Sequence, residues 1–150
     1  MNYIEEELES LNNDKAQFSA IVDMCVMELQ DEVREIIKAR WLESRSVNGG
    51  NITNKETGEG YAWLSYKNYK LKNNPKGSGG VDLTLSGALG DSIIITRSID
   101  GNYTIVATDR KYNAIGSKYG YEEFGLDQNE MQYVLGKLEK KITNKLNEII

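Results

Sequence analysis

The chain has 150 residues and carries 18 basic against 23 acidic groups, so it is one domain's length with a net charge of −5. It has no histidine and a single cysteine, Cys25. Those two facts remove the commonest general base, every Ser-His or Cys-His nucleophile pair, an intramolecular disulfide and a cysteine zinc site.

Charge is unevenly placed. Residues 1–43 hold 4 basic and 11 acidic groups, whereas residues 44–80 hold 6 basic and 2 acidic. An acidic start disfavours free binding to DNA phosphates. The N-terminus is acidic rather than basic and then apolar, so no signal peptide is expected there. Apolar runs are too short for a membrane-spanning helix.

In chain order, residues 1–18 read as an acidic arm or short helix, with Ile4, Leu8 and Leu11 at helical spacing. From Ser19 to Trp41 the apolar positions Val22, Val26, Leu29, Val33, Ile36 and Ile37 form one stripe. The steps of three and four predict a long amphipathic helix ending near Arg40–Glu43. Cys25 within it is expected to be a small buried hydrophobe. Met24 and Met27 are candidates for packing on a neighbouring subunit.

Residues 44–60 and 73–80 are rich in Gly and Asn and read as long flexible loops. The Gly77-Ser-Gly-Gly80 run lacks the Lys-Ser/Thr of a phosphate-binding loop. Between the loops, Tyr66, Tyr69, Lys67, Lys70 and Lys72 interleave aromatic and basic groups on a short helix, with Trp63 and Leu64 expected to anchor it in the core. Ser86 is a candidate N-cap for a helical turn through Asp91.

Ile93–Ile99 and Tyr103–Thr108 are β-branched runs flanking Asp100-Gly101, a hairpin signal. Both faces of the hairpin carry apolar residues, which points to cover on both sides or a subunit contact. Ile93, Ile95, Tyr103 and Ile105 are the candidate contact residues. Asp127 and Glu130 form a capping-box pattern for a last helix striped by Met131, Val134, Leu135, Leu138, Ile142, Leu146 and Ile149.

The order of these pieces resembles the virion-morphogenesis family of tailed phages, the tail-completion and neck proteins. The likeness rests on Trp63-Leu64-Ser65 with Lys67 or Lys70, then Leu83-Thr84-Leu85-Ser86-Gly87-Ala88-Leu89-Gly90-Asp91-Ser92-Ile93. It continues through Tyr112-Asn113-Ala114-Ile115, and through Tyr119-Gly120 or Tyr121–Gly125. The chain lacks the family's histidine and its Pro-Ala-Arg-Pro-Phe run, and Phe124-Gly125-Leu126-Asp127 stands before the last helix instead.

The resemblance implies an α+β fold, in which a long N-terminal helix and a C-terminal helix pack on a small antiparallel sheet with long flexible loops. It implies a single non-enzymatic domain over residues 1–150, without cofactor or metal, assembled in the host cytoplasm into the virion. Its partners would be copies of itself in a ring, and other neck or tail proteins such as portal or adaptor, stopper and tail tube. Passive contact with DNA in the channel is compatible with that place.

Within such a ring, Lys55, Lys67, Lys70 or Lys72 of one copy is expected near Glu28, Asp31 or Glu35 of the next. A tail-terminator or minor tail-tube subunit is the alternative in the same class. The rivals outside it are a nucleic-acid-binding module over residues 61–76 and a carboxylate enzyme. The enzyme would use Glu122, Glu123 and Asp127, or Asp82 and Asp91.

Overall fold

In the computed structural model the described residues are 2–58, 60 and 87–149. The expected Ser86 cap, the Trp63 anchor, the loop at 73–80 and Lys67, Lys70 and Lys72 lie outside them. The fold is α+β, with long N- and C-terminal helices and, among the described residues, one two-stranded antiparallel sheet. No helix among the described residues is long and apolar enough to cross a membrane. The chain divides into two compact units, residues 30–132 and the pair of segments 1–29 and 133–150.

In the second of these units, α1 runs Tyr3–Glu28. Asn2 and Glu5 close a capping box, each side chain accepting from the other's backbone N–H at 2.9 and 3.1 Å. Glu5 and Glu6 in the first turn suit the positive end of the helix dipole. The expected acidic arm is therefore, from Tyr3 on, the leading part of a continuous helix. Ile21, Cys25 and Val26 are buried, so Cys25 is a buried thiol as its apolar setting requires. The expected single helix from Ser19 to Trp41 is split at Leu29, whose N–H turns back to the Val26 carbonyl at 3.1 Å.

The other unit opens with α2, Gln30–Leu42. Its buried apolar residues, Val33, Ile37 and Trp41, recur every four positions. Ile36, expected on this stripe, is only half-buried. At the end of α2, Ser44 N–H donates to the Trp41 carbonyl at 2.7 Å and Arg45 N–H to the Arg40 carbonyl at 3.1 Å. These are the two bonds of a Schellman cap, with Ser44 in the left-handed position at φ 57° where glycine is usual.

The run after it is not the open loop that its composition suggested. Arg45 and Asn51 form an antiparallel bridge. Ser46 N–H reaches the Gly50 carbonyl at 2.7 Å, and Ile52, with its N–H on the Ser44 carbonyl, is 1% exposed. Lys55 N–H joins the Lys118 carbonyl at 2.9 Å. Gly and Asn supply the turn geometry, and Ile52 anchors the segment in the core.

A single helical turn, α3 (Ala88–Asp91), precedes strand β1 (Ile93–Arg97). Its cap position is Gly87 at φ 76°. Strand β2 (Tyr103–Ala107) pairs with β1 in a register that places Ile93 opposite Ala107 and Ile95 opposite Ile105. Ser98 N–H bonds the Asn102 carbonyl at 2.9 Å, leaving a three-residue loop with Gly101 left-handed at φ 88°.

The outer edge of β1 is not left bare. Arg34 Nε donates to the Ile93 carbonyl and Ile95 N–H donates to Gln30 Oε1, both at 2.9 Å. Two side chains one helical turn apart on α2 thus take the bonds that a third strand would make. Ser92 ties the strand ends together: its Oγ donates to the Leu89 carbonyl at 2.8 Å and accepts from Asp109 N–H at 3.0 Å.

Helix α4 spans Tyr112–Tyr119, and a 3-10 turn follows at Tyr121–Phe124. Tyr121 lies against Gly116 so closely that a Cβ there would sit 2.4 Å from its ring. Phe124 is fully buried, edge-on to both Trp41 and Tyr112 with ring centroids 5.2 and 4.6 Å away. Asp127 and Glu130 then cap α5, Gln128–Ile149, by reciprocal bonds of 2.7 and 2.9 Å. No residue of α5 is buried.

Candidate functional site

The densest group of ionisable side chains lies where α2, its cap, the 3-10 turn and the start of α5 converge. Arg40 is fully buried. One of its terminal nitrogens donates to Glu130, the other to the Glu123 carbonyl at 2.7 Å. Trp41 Nε1 donates to that same carbonyl at 2.8 Å. The Glu123 carboxylate, 3% exposed, accepts from Ser46 Oγ and from Val47 N–H. Arg45 reaches Asp127 at 2.9 Å and lies 3.9 Å from Glu130.

Two buried atoms in this region, Arg40 Nε and Ser44 Oγ, make no hydrogen bond in the structure. A charge taken out of water is tolerated when it is paired and hydrogen-bonded. Arg40 and Glu130 meet that condition through each other and through the Glu123 carbonyl, and the Glu123 carboxylate is hydrogen-bonded by Ser46 Oγ and Val47 N–H. Both terminal nitrogens of Arg40 and the carboxylates of Glu123 and Glu130 bond protein partners, which makes the cluster a clamp on the fold.

The acids weighed as catalytic candidates are separated in use. Glu123 and Asp127 belong to the clamp. Glu122 pairs with Lys55 at 3.4 Å, and Asp91 pairs with Lys38. Asp82 lies outside the described residues. Among the described residues no group of three or more acids or cysteine is placed to hold a metal ion.

The candidate contact residues divide in a similar way. Ile93 and Ile95 are 0% and 8% exposed, so both belong to the subunit's own core rather than to a surface. Alternation along the strands could show which residues share a face, but not that α2 lies against β1. Tyr103 and Ile105 are half-buried. Ile99, at the hairpin tip, is fully exposed and was not on the list of candidates. Its place in the loop between Ser98 and Asn102 was the available signal.

Met24 and Met27 are 45% and 43% exposed, on the side of α1 turned away from Cys25. The acids expected to meet lysines of another copy have partners in their own chain. Glu28 takes Lys141 at 3.3 Å and Lys145 at 4.0 Å, Asp31 takes Arg34 at 2.9 Å, and Glu35 takes Lys38 at 3.5 Å. Lys55 is held by Glu122. Local i,i+3 pairs and the return of α5 beside α1 supply these partners.

Comparison with known protein families, with characterised proteins and with solved structures gives no match.

Proposed function

We propose that this chain is a non-catalytic assembly subunit, a ring-forming protein of the head–tail joint or tail end of a tailed phage. The observation that carries the assembly reading is how the side chains are used. The polar cluster holds the fold together, while large apolar side chains on α1, on α5 and at the hairpin tip stay exposed. On α1 the exposed Ile4, Leu8, Leu11 and Phe18 recur at helical spacing on one face, and an apolar face left open is the kind of surface through which proteins associate. The phage reading is supported by the order of motifs from Trp63 to Asp127. Ser92, within the Leu-x-x-Ser-Ile piece, joins the turn, the strand and the return of the hairpin, the kind of role a conformational motif has.

In this reading the contacts are surface matching without chemistry. Ile99 at the hairpin tip and Met24 and Met27 on α1 are the candidate contacts. Head-to-tail contacts of one patch with a different patch close into a ring by rotation. A tail-terminator or tail-tube place fits the same features. Cryo-electron microscopy and protein composition of the purified particles test the proposal. Copies in a ring at the joint or tail end are expected; absence of the protein from the particle would overturn it.

A further inference from the structure

Helix α1 is longer than the cover it receives. Its buried stripe at Ile21, Cys25 and Leu29 continues toward the N-terminus through Phe18, Leu11, Leu8 and Ile4. These four residues are 49%, 63%, 55% and 69% exposed. Positions 4, 8, 11, 18 and 25 follow the alternating steps of a heptad seam, with Lys15 at the one polar step. Sixteen residues of helix with no tertiary packing are marginal in water, since most helical stability in proteins comes from burying one face. The seam is built to be covered.

The chemistry of the seam says by what. Residues 3–18 carry Glu5, Glu6, Glu7, Glu9 and Asp14 against Lys15, and Glu5, Glu7 and Asp14 flank the apolar stripe. Two such arms side by side would repel. Helix α5 has the opposite character: from Tyr133 onward it carries four lysines against two glutamates. It also has an apolar stripe of its own that the chain covers only in part: Val134, Leu138, Ile142 and Leu146 are half-buried, and Leu135 and Ile149 are 52% and 56% exposed. The chain already shows the two helices meeting by this chemistry, because Glu28 of α1 holds Lys141 and Lys145 of α5.

We infer that the arm Tyr3–Phe18 docks on the C-terminal helix of a second copy of this chain, extending between copies the pairing that α1 and α5 make within one. Ile4, Leu8, Leu11 and Phe18 supply the apolar contact, and the arm's glutamates face the lysines of α5. The inference rests on the assembly reading for its premise that copies meet, and it names the surfaces through which they do.

The test uses purified full-length protein and no particle, so its failure is distinguishable from absence of the protein from virions. Light scattering across concentration and salt should show association that weakens as salt rises. Leu8→Glu with Leu11→Glu should raise the dissociation constant at least about tenfold, by replacing the apolar contact with carboxylates that lose their hydration on docking. Both positions are exposed in the single copy, and an unchanged denaturation midpoint would show that the subunit still folds. Carbodiimide coupling of an equal mixture of ¹⁴N and ¹⁵N protein should join glutamates of the arm to lysines of α5 in mixed-isotope pairs. A monomer at every concentration, same-isotope links only, or links from arm to arm would overturn the inference.

Discussion

Arg40 and Glu130 stand 90 positions apart in the chain, yet share an ion pair in which the arginine side chain is 0% and the glutamate side chain 11% exposed. The pair joins the last turn of α2 to the first turn of α5. Glu130 also closes the capping box with Asp127, so one carboxylate both starts a helix and holds it to another.

Removing one partner leaves the other buried and unpaired. Glu130→Ala should therefore lower the unfolding free energy by about 3–5 kcal/mol. Combining it with Arg40→Met should recover most of that loss, because the buried charge is gone. Urea titration of the single and double variants measures this. An additive double variant would mean that the two residues act separately.

Trp41 is fully buried, packs edge-on to Phe124 and donates to the Glu123 carbonyl. Trp41→Ala should cost about 3–5 kcal/mol, as truncation of a buried aromatic does. Trp41→Phe should cost less, since it keeps ring contact with Phe124 and gives up the hydrogen bond, about 1 kcal/mol. Thermal melts rank the two; equal losses would show that packing against Phe124 is not what matters.

Ser44 occupies the left-handed cap position with a buried hydroxyl that makes no hydrogen bond. Left-handed backbone costs an L-residue roughly 1–2 kcal/mol, a cost glycine does not carry. Ser44→Gly is expected to stabilise the protein by about 1 kcal/mol and raise its melting temperature. Ser44→Val should lower it, because a β-branched side chain tolerates that conformation worst.

Burial, and after it the charge of Glu28, push the Cys25 thiol above its ordinary range, against the smaller pull of Lys145 and Lys141. Between the unfolded and folded values the native chain keeps a proton that the unfolded chain has lost. The stability from the neutral thiol is fully present below the unfolded pKa and is lost as pH rises through the folded one. Stability should therefore fall with pH above about 8.5, and Cys25→Val should flatten that fall. At neutral pH, Ellman's reagent should label Cys25 no faster than the protein unfolds; rapid labelling would contradict its burial.

Local chemistry was legible without coordinates. The Asp127–Glu130 capping box and the Asp100-Gly101 turn form between neighbours three or four positions apart, and the structure has both. The thiol buried on a helix stripe and the last helix follow from periodicity in the same way, whereas the α+β class was what the resemblance implied. Residues 44–60 read as a flexible loop because hydrogen bonds such as Lys55 to Lys118 have no sequence period.

What the amino-acid order determined by itself was which residues share a helical face and where the hairpin turn and the last helix begin, because those depend on backbone geometry over one turn. Tertiary structure alone decided which face is core. Arg34 and Gln30 closing the edge of β1 turned Ile93 and Ile95 from contact candidates into core. It also decided which charges are already satisfied, since Arg40 finds Glu130 and Glu28 finds Lys141 only when distant helices meet. An ion pair between side chains 90 positions apart leaves no spacing to read; only burial makes it strong enough to matter.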